Sequence, residues 1–84
     1  MHFEEKNGIR YTEYAGFARN EVGTEEILFT TSCSAVLAKE RSLERIQFVN
    51  GYLKKMFYDP ESLVIRQRNA EIKYGEWEDL KDGE

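Results

Sequence analysis

The most regular pattern of apolar and polar positions lies in the middle of the chain, in the stretch SLERIQFVNGYLKKMF at residues 42–57. Its apolar residues recur at spacings of three and four, which places them on one face of an α-helix. The pattern therefore predicts one amphipathic helix over residues 42–57 whose apolar stripe packs into a core. The stripe consists of Leu43, Ile46, Val49, Leu53, Met56 and Phe57.

The ends of this predicted helix carry their own signals. Ser42 is a favourable N-cap residue, because its hydroxyl oxygen can accept a hydrogen bond from an amide of the first turn. Lys54 and Lys55 fall in the predicted last turn, where the helix dipole favours cations, and Pro60 prevents continuation. Since Leu53 is central on the stripe, we expect Leu53→Ala to remove roughly 2–5 kcal/mol of stability.

Residues rich in β-formers precede the helix. Residues 9–19 predict a first strand, with a bulge near Ala15 and Gly16 because a glycine inside a strand pattern often marks one. Residues 20–24 predict a turn that contains Gly23, and residues 25–32 predict a second strand. The two strands are expected to form an antiparallel hairpin.

The remaining segments leave alternatives open. Residues 33–41 favour a short third strand over an extra helical turn, because Ser42 has the features of a new helix start. Residues 63–65 begin another strand, which residues 70–74 either continue or pair with as a returning strand. The predicted fold is α+β, a small antiparallel sheet of three to five strands in the order β-β-(β)-α-β-β, with the helix packed on one face. Residues 1–84 are expected to form a single domain in which 78–84 are a flexible acidic tail.

The charge of the chain is unevenly distributed. The net charge of −4 divides into −3 over residues 1–27, +3 over 28–58 and −4 over 59–84. Such asymmetry can steer a charged partner or can be neutralised inside the fold, and neutralisation is the more frequent outcome. The single cysteine, Cys33, cannot form an internal disulfide, which indicates a reducing compartment. The chain lacks an apolar run of bilayer length and a signal-peptide pattern, so we expect a cytoplasmic protein that does not contact a membrane.

The sequence offers little chemistry for catalysis. His2 is the only histidine, and Cys33 has no histidine neighbour to activate it or to complete a zinc site. The glycines form no phosphate-binding motif. We therefore expect a non-enzymatic protein without cofactor or metal.

Three binding hypotheses follow. The first is docking on another protein, one with a basic groove, through acidic and aromatic residues of the first strand and the tail: Tyr11, Glu13, Tyr14, Glu76, Trp77, Glu78 and Asp79. The second is a nucleic-acid-binding module that uses Lys54, Lys55, Arg66 and Arg68, although a pI near 5.1 opposes it. The third is a homodimer that buries the free face of the sheet. Within the fold, Trp77 is expected to pack against the core.

The layout of the chain is similar to that of small accessory proteins of bacteriophages and mobile elements. The similarity rests on a starting hairpin, the helical stretch SLERIQFVNGYLKKMF, the following LVIRQR strand and the terminal YGEWEDL. This resemblance implies a host-directed binding role, including inhibition of restriction or CRISPR-type (anti-CRISPR-like) defence enzymes. It assigns no role to a particular residue.

Overall fold

A computed structural model describes residues 8–80 of the 84-residue chain. The elements are strand β1 (Ile9–Arg19), strand β2 (Glu25–Thr31), helix α1 (Ala35–Leu53), a short 3₁₀ turn (Pro60–Ser62) and strand β3 (Val64–Ile72). The strands form one antiparallel sheet in the order β2-β1-β3, and α1 contacts all three of them. The predicted α+β fold, a small antiparallel sheet with one helix, is confirmed.

The β1–β2 hairpin follows the sequence prediction closely. The Asn20 side chain closes the turn by accepting hydrogen bonds from the amides of Val22 and Thr24, each at 3.0 Å. Gly23 has a φ of +87°, a conformation that glycine adopts without strain. The β1–β2 register shifts between Gly16 and Phe17, beside the predicted bulge, and the residue left without a partner is Leu28 of β2. Leu28 packs against the core instead.

The helix begins well before the predicted start. Its N-cap is Ser34, whose hydroxyl oxygen accepts a hydrogen bond of 3.1 Å from the Leu37 amide. The prediction of a third strand over residues 33–41 is therefore wrong, and so is the assignment of Ser42 as N-cap. Alanine and leucine are strong helix formers, and the pair Leu37-Ala38 carries the helix through this segment. Ser42 lies in the middle of the helix and is fully buried.

The helix also ends earlier than predicted. Its last residue is Leu53, and Lys54 follows as the C-cap in the left-handed conformation, with a φ of 55°. Lys54 and Lys55 therefore lie after the last turn, and Met56 and Phe57 lie outside the helix. The amides of Lys54 and Lys55 donate hydrogen bonds to the carbonyls of Gly51 and Asn50, so these carbonyls at the end of the helix have partners.

Residues 63–74 contain one strand. β3 pairs with β1 from Val64, opposite Phe17, to Ile72, opposite Ile9. β2 pairs only with residues 14–19 of β1, so residues 9–13 and 68–72 form a two-stranded extension beyond the end of β2. The sheet is therefore three strands wide at one end and two strands wide at the other.

The core between helix and sheet is small. It is built on Ala18, Ile46 and Tyr58, with partly buried residues packed around them: Leu28, Val49, Phe57 and Leu63. Ile46 is 2% exposed, whereas Leu53 is 41% exposed and lies at the margin. The prediction that Leu53 is central on the buried stripe is therefore wrong, because the helix starts earlier and its buried residues are Ala38, Ser42 and Ile46.

Candidate protein-binding surfaces

Among residues 8–80, the helix covers one face of the sheet and no element covers the other. Ser42 of the helix lies against Gly16, which assigns Gly16 to the covered face. Side chains alternate along a strand, so Ala15 and Phe17 project from the other side, and residues opposite them on neighbouring strands share that side. We call this side the open face. It comprises Ile9, Tyr11, Glu13, Ala15, Phe17 and Arg19 of β1, Glu25, Ile27 and Thr30 of β2, and Val64, Arg66, Arg68, Ala70 and Ile72 of β3.

The charged residues of the open face pair with one another across the strands. Arg66 reaches over β1 and donates two hydrogen bonds to Glu25, at 2.8 and 3.0 Å, and its guanidinium lies 4.5 Å from the Phe17 ring centroid. Arg68 donates a hydrogen bond of 2.7 Å to Glu13. The hydrogen bond from Arg66 lowers the pKa of Glu25 from its ordinary value. The charges of these four side chains cancel, so the net charge of the open face is the +1 of Arg19, which lies opposite Glu25.

This pairing joins residues that the sequence analysis placed in different hypotheses. Glu13, predicted to bind protein, forms an ion pair with Arg68, which was predicted to bind nucleic acid. Tyr11 lies on the same face, whereas Tyr14 projects toward the helix side, two residues from Gly16. Elsewhere, Lys55 forms an ion pair of 3.0 Å with Glu21. Three of the four basic residues thus have carboxylate partners with which a phosphate would compete.

The described residues after β3 form no helix or strand. We call residues 74–80 the terminal segment. Trp77 in it is 100% exposed and Leu80 is 87% exposed, so the predicted packing of Trp77 against the core is wrong. The reason is position: β3 ends beside Ile9, about 30 Å along the sheet from Ala18 in the core. Glu76, Glu78 and Asp79 flank the indole and are exposed. Part of the predicted flexible tail, residues 81–84, lies outside the described residues.

The outer side of the helix carries a feature that the sequence analysis did not single out. Phe48 and Tyr52 are exposed one turn apart, with nearly parallel rings whose centroids are 6.3 Å apart. The i, i+4 spacing of two aromatics off the apolar stripe is the signal that would have identified it.

The described residues contain little that suggests catalysis. The open face carries a depression of about 180 Å³, lined by Phe17, Ile27 and Arg66 among others, which is smaller than the clefts that commonly hold small ligands. A larger depression of about 700 Å³ lies along the two-stranded extension, lined by Arg10, Tyr11 and Glu71 among others, but two strands alone do not enclose a ligand. Residues 8–80 include no group of three or more His, Cys, Asp or Glu side chains arranged to hold a metal ion. Over the same range, no helix has the length and apolar character needed to cross a membrane.

Comparison of the chain with family models, with curated proteins and with solved structures finds no match in any of the three.

Proposed function

We propose that the protein is a non-enzymatic binding module that docks on a basic surface of another protein through its terminal segment. The observation that carries this proposal is the complete exposure of Trp77 among three carboxylates. A free indole offers roughly 200 Å² of surface for burial, and tryptophan is among the residues that most often dominate the binding energy of an interface.

The carboxylates define the chemistry of the partner. Glu76, Glu78 and Asp79 lie next to the indole in the chain, so a partner that buries Trp77 meets a concentrated negative charge. Complementary charge accelerates association and selects against acidic surfaces. A basic groove with an apolar pocket fits both features of the segment.

The class of partner is an enzyme that acts on nucleic acid. Such enzymes hold phosphates in basic channels, and an acidic segment can occupy the same channel. The resemblance of the sequence layout to phage and mobile-element accessory proteins, noted in the sequence analysis, suggests a defence nuclease as the candidate target.

A nucleic-acid-binding role is less well supported. Arg66, Arg68 and Lys55 are each paired with a carboxylate, and the net charge of −4 opposes binding to a polyanion.

The test is affinity capture from a nuclease-treated bacterial lysate, with the captured protein then purified and titrated. Trp77 is the only tryptophan, so its emission reports the terminal segment directly. Binding should shift the emission to the blue, and both Trp77→Ala and the triple variant Glu76→Gln/Glu78→Gln/Asp79→Asn should weaken capture. The triple variant should also reduce the salt dependence of the dissociation constant.

The matched control is Glu40→Gln/Glu44→Gln/Glu61→Gln, which removes the same charge from exposed positions elsewhere. Equal losses in the two triple variants would show a net-charge effect and refute the assigned segment. Capture that disappears on nuclease treatment would favour the nucleic-acid role instead.

A further inference from the structure

The isolated fold buries little apolar surface for its size. The buried apolar residues of the described chain are Ala15, Ala18, Ala38, Ile46 and Tyr58, three of them alanines. A chain of 84 residues is near the size at which one core is only marginally sufficient. A two-stranded ribbon such as the extension of β1 and β3 is marginal in water without further packing. A further surface packed against the sheet would stabilise both features.

The open face is where the unburied apolar side chains collect. Ile9, Ile27, Val64 and Ile72 project from it and are 43%, 55%, 40% and 45% exposed. Together with Phe17 they form two apolar ends: Ile9 opposite Ile72 on the extension, and Phe17 beside Ile27 and Val64 near the hairpin turn. About 27 Å of strand separates the two ends, and the ion-paired residues lie mostly between them.

The charge of the open face bears on its occupant. Its two ion pairs cancel and Arg19 leaves it with a charge of +1, although the whole chain carries −4. A basic protein would gain no electrostatic attraction there, and a single unpaired arginine offers a polyanion few phosphate contacts. When two copies pack with their sheets antiparallel, their Arg19 side chains lie at opposite ends of the contact, so they do not repel each other.

We propose that the open face is the interface of a homodimer in which two sheets pack face to face about a two-fold axis. Antiparallel packing lays the extension of one copy over the hairpin end of the other, so each apolar end meets an apolar end. The two ion pairs, already hydrogen-bonded within each copy, lie between these ends. Desolvating them opposes association and limits the affinity.

The size of the face sets the strength of the contact. It is about 35 Å long and 10–14 Å wide, so two copies together bury on the order of 1,000 Å². This is at the lower limit for a specific interface, and the dimer should dissociate on dilution. The terminal segment is not part of this interface. The homodimer and the proposed function can therefore be refuted independently of each other.

The test is the solution mass, measured by sedimentation over a wide range of protein concentrations. The wild-type mass should rise from 9.9 kDa toward twice that value as the concentration increases. Ile27→Glu places a charge at the apolar end and should keep the mass at the monomer value. Val22→Glu adds the same charge in the hairpin turn, at a position 79% exposed and away from the open face, and should dimerise like wild type.

Two further variants distinguish a loss of dimerisation from misfolding, and circular dichroism checks that each variant is folded. Ile27→Thr keeps a β-branched residue in the strand, and Ile72→Glu probes the other apolar end; both should weaken dimerisation at least tenfold. A wild-type mass of 9.9 kDa at all concentrations would overturn the proposal. A dimer that persists in folded Ile27→Glu or Ile72→Glu, or that is lost equally in Val22→Glu, would also overturn it.

Discussion

Helix α1 meets the sheet at Ser42 and Gly16, where no space remains for another carbon atom. A Cβ added to Gly16 would overlap the Ser42 hydroxyl and lie 2.7 Å from the Ser42 Cβ and 3.4 Å from Cδ1 of Ile65. Ser42 is fully buried, so neither the helix nor the strand can yield by moving into solvent. Overpacking of this kind costs about 1–3 kcal/mol, and we expect Gly16→Ala to lower the free energy of unfolding by that amount.

A double-mutant cycle assigns the cost to this contact. Ser42→Gly removes both obstructing atoms at a cost of about 0.5 kcal/mol in helix propensity, and in that background Gly16→Ala should cost less than about 0.5 kcal/mol. Ser42→Ala is the control: it keeps the Cβ, so Gly16→Ala should remain costly beside it. Because the buried Ser42 hydroxyl has no hydrogen-bond partner among the described residues, Ser42→Ala alone should stabilise the fold by about 1 kcal/mol.

The assay is urea unfolding followed by far-UV circular dichroism at a fixed protein concentration, because the exposed Trp77 is a poor reporter of unfolding and dimerisation would make stability depend on concentration. An equal cost of Gly16→Ala in the wild-type and Ser42→Gly backgrounds would refute the steric explanation. It would assign the loss to the backbone conformation of β1.

Three other predictions use the same unfolding assay. Ile46→Ala should cost about 2–5 kcal/mol because Ile46 is 2% exposed, and Leu53→Ala clearly less because Leu53 is 41% exposed; the reverse order would contradict the core described above. Gly51→Ala should stabilise the fold by about 1 kcal/mol, since an added Cβ meets no atom within 4 Å; a loss of stability would contradict the open space around Gly51. Hydrogen bonds from Tyr58 and then Asn20 lower the pKa of Glu26 from its ordinary value of 4.5, so Glu26 contributes stability above that pH that is lost as the pH falls through the folded-state pKa. Wild type should therefore lose more stability than Glu26→Gln on acidification, and parallel pH profiles would contradict this linkage.

For the helix, the local pattern of apolar residues predicts the helical segment but not the residue at which it begins. The apolar spacing correctly located residues 43–53 in a helix, because periodicity on one face reflects burial. The start was misplaced because serine serves equally as an N-cap and as a small residue at a close contact. Ser34 has the first role and Ser42 the second. Only the approach of Gly16 distinguishes them, and that approach is a tertiary contact.

For the open face, the sequence predicts which residues are at the surface but not how they pair. Alternating residues along β1 and β3 identified Tyr11, Glu13, Arg66 and Arg68 as surface candidates. Their pairing depends on the register between strands more than 40 residues apart in sequence, which no local pattern specifies. Two hypotheses that appeared separate in the sequence, an acidic site and a basic site, therefore share one surface on which their charges are paired.

The sequence by itself determined the α+β class, the hairpin of β1 and β2 with its Asn20–Gly23 turn, and the existence of one helix, because these depend on residues close together in the chain. The tertiary structure alone decided the helix start, the cross-strand ion pairs and the exposure of Trp77. Each of these depends on which distant segments meet: α1 against Gly16, β3 against β1, and a terminal segment that leaves the sheet at the end farthest from the core. Local propensity fixes what a segment can become, and packing between distant segments fixes which of its surfaces remains free to bind.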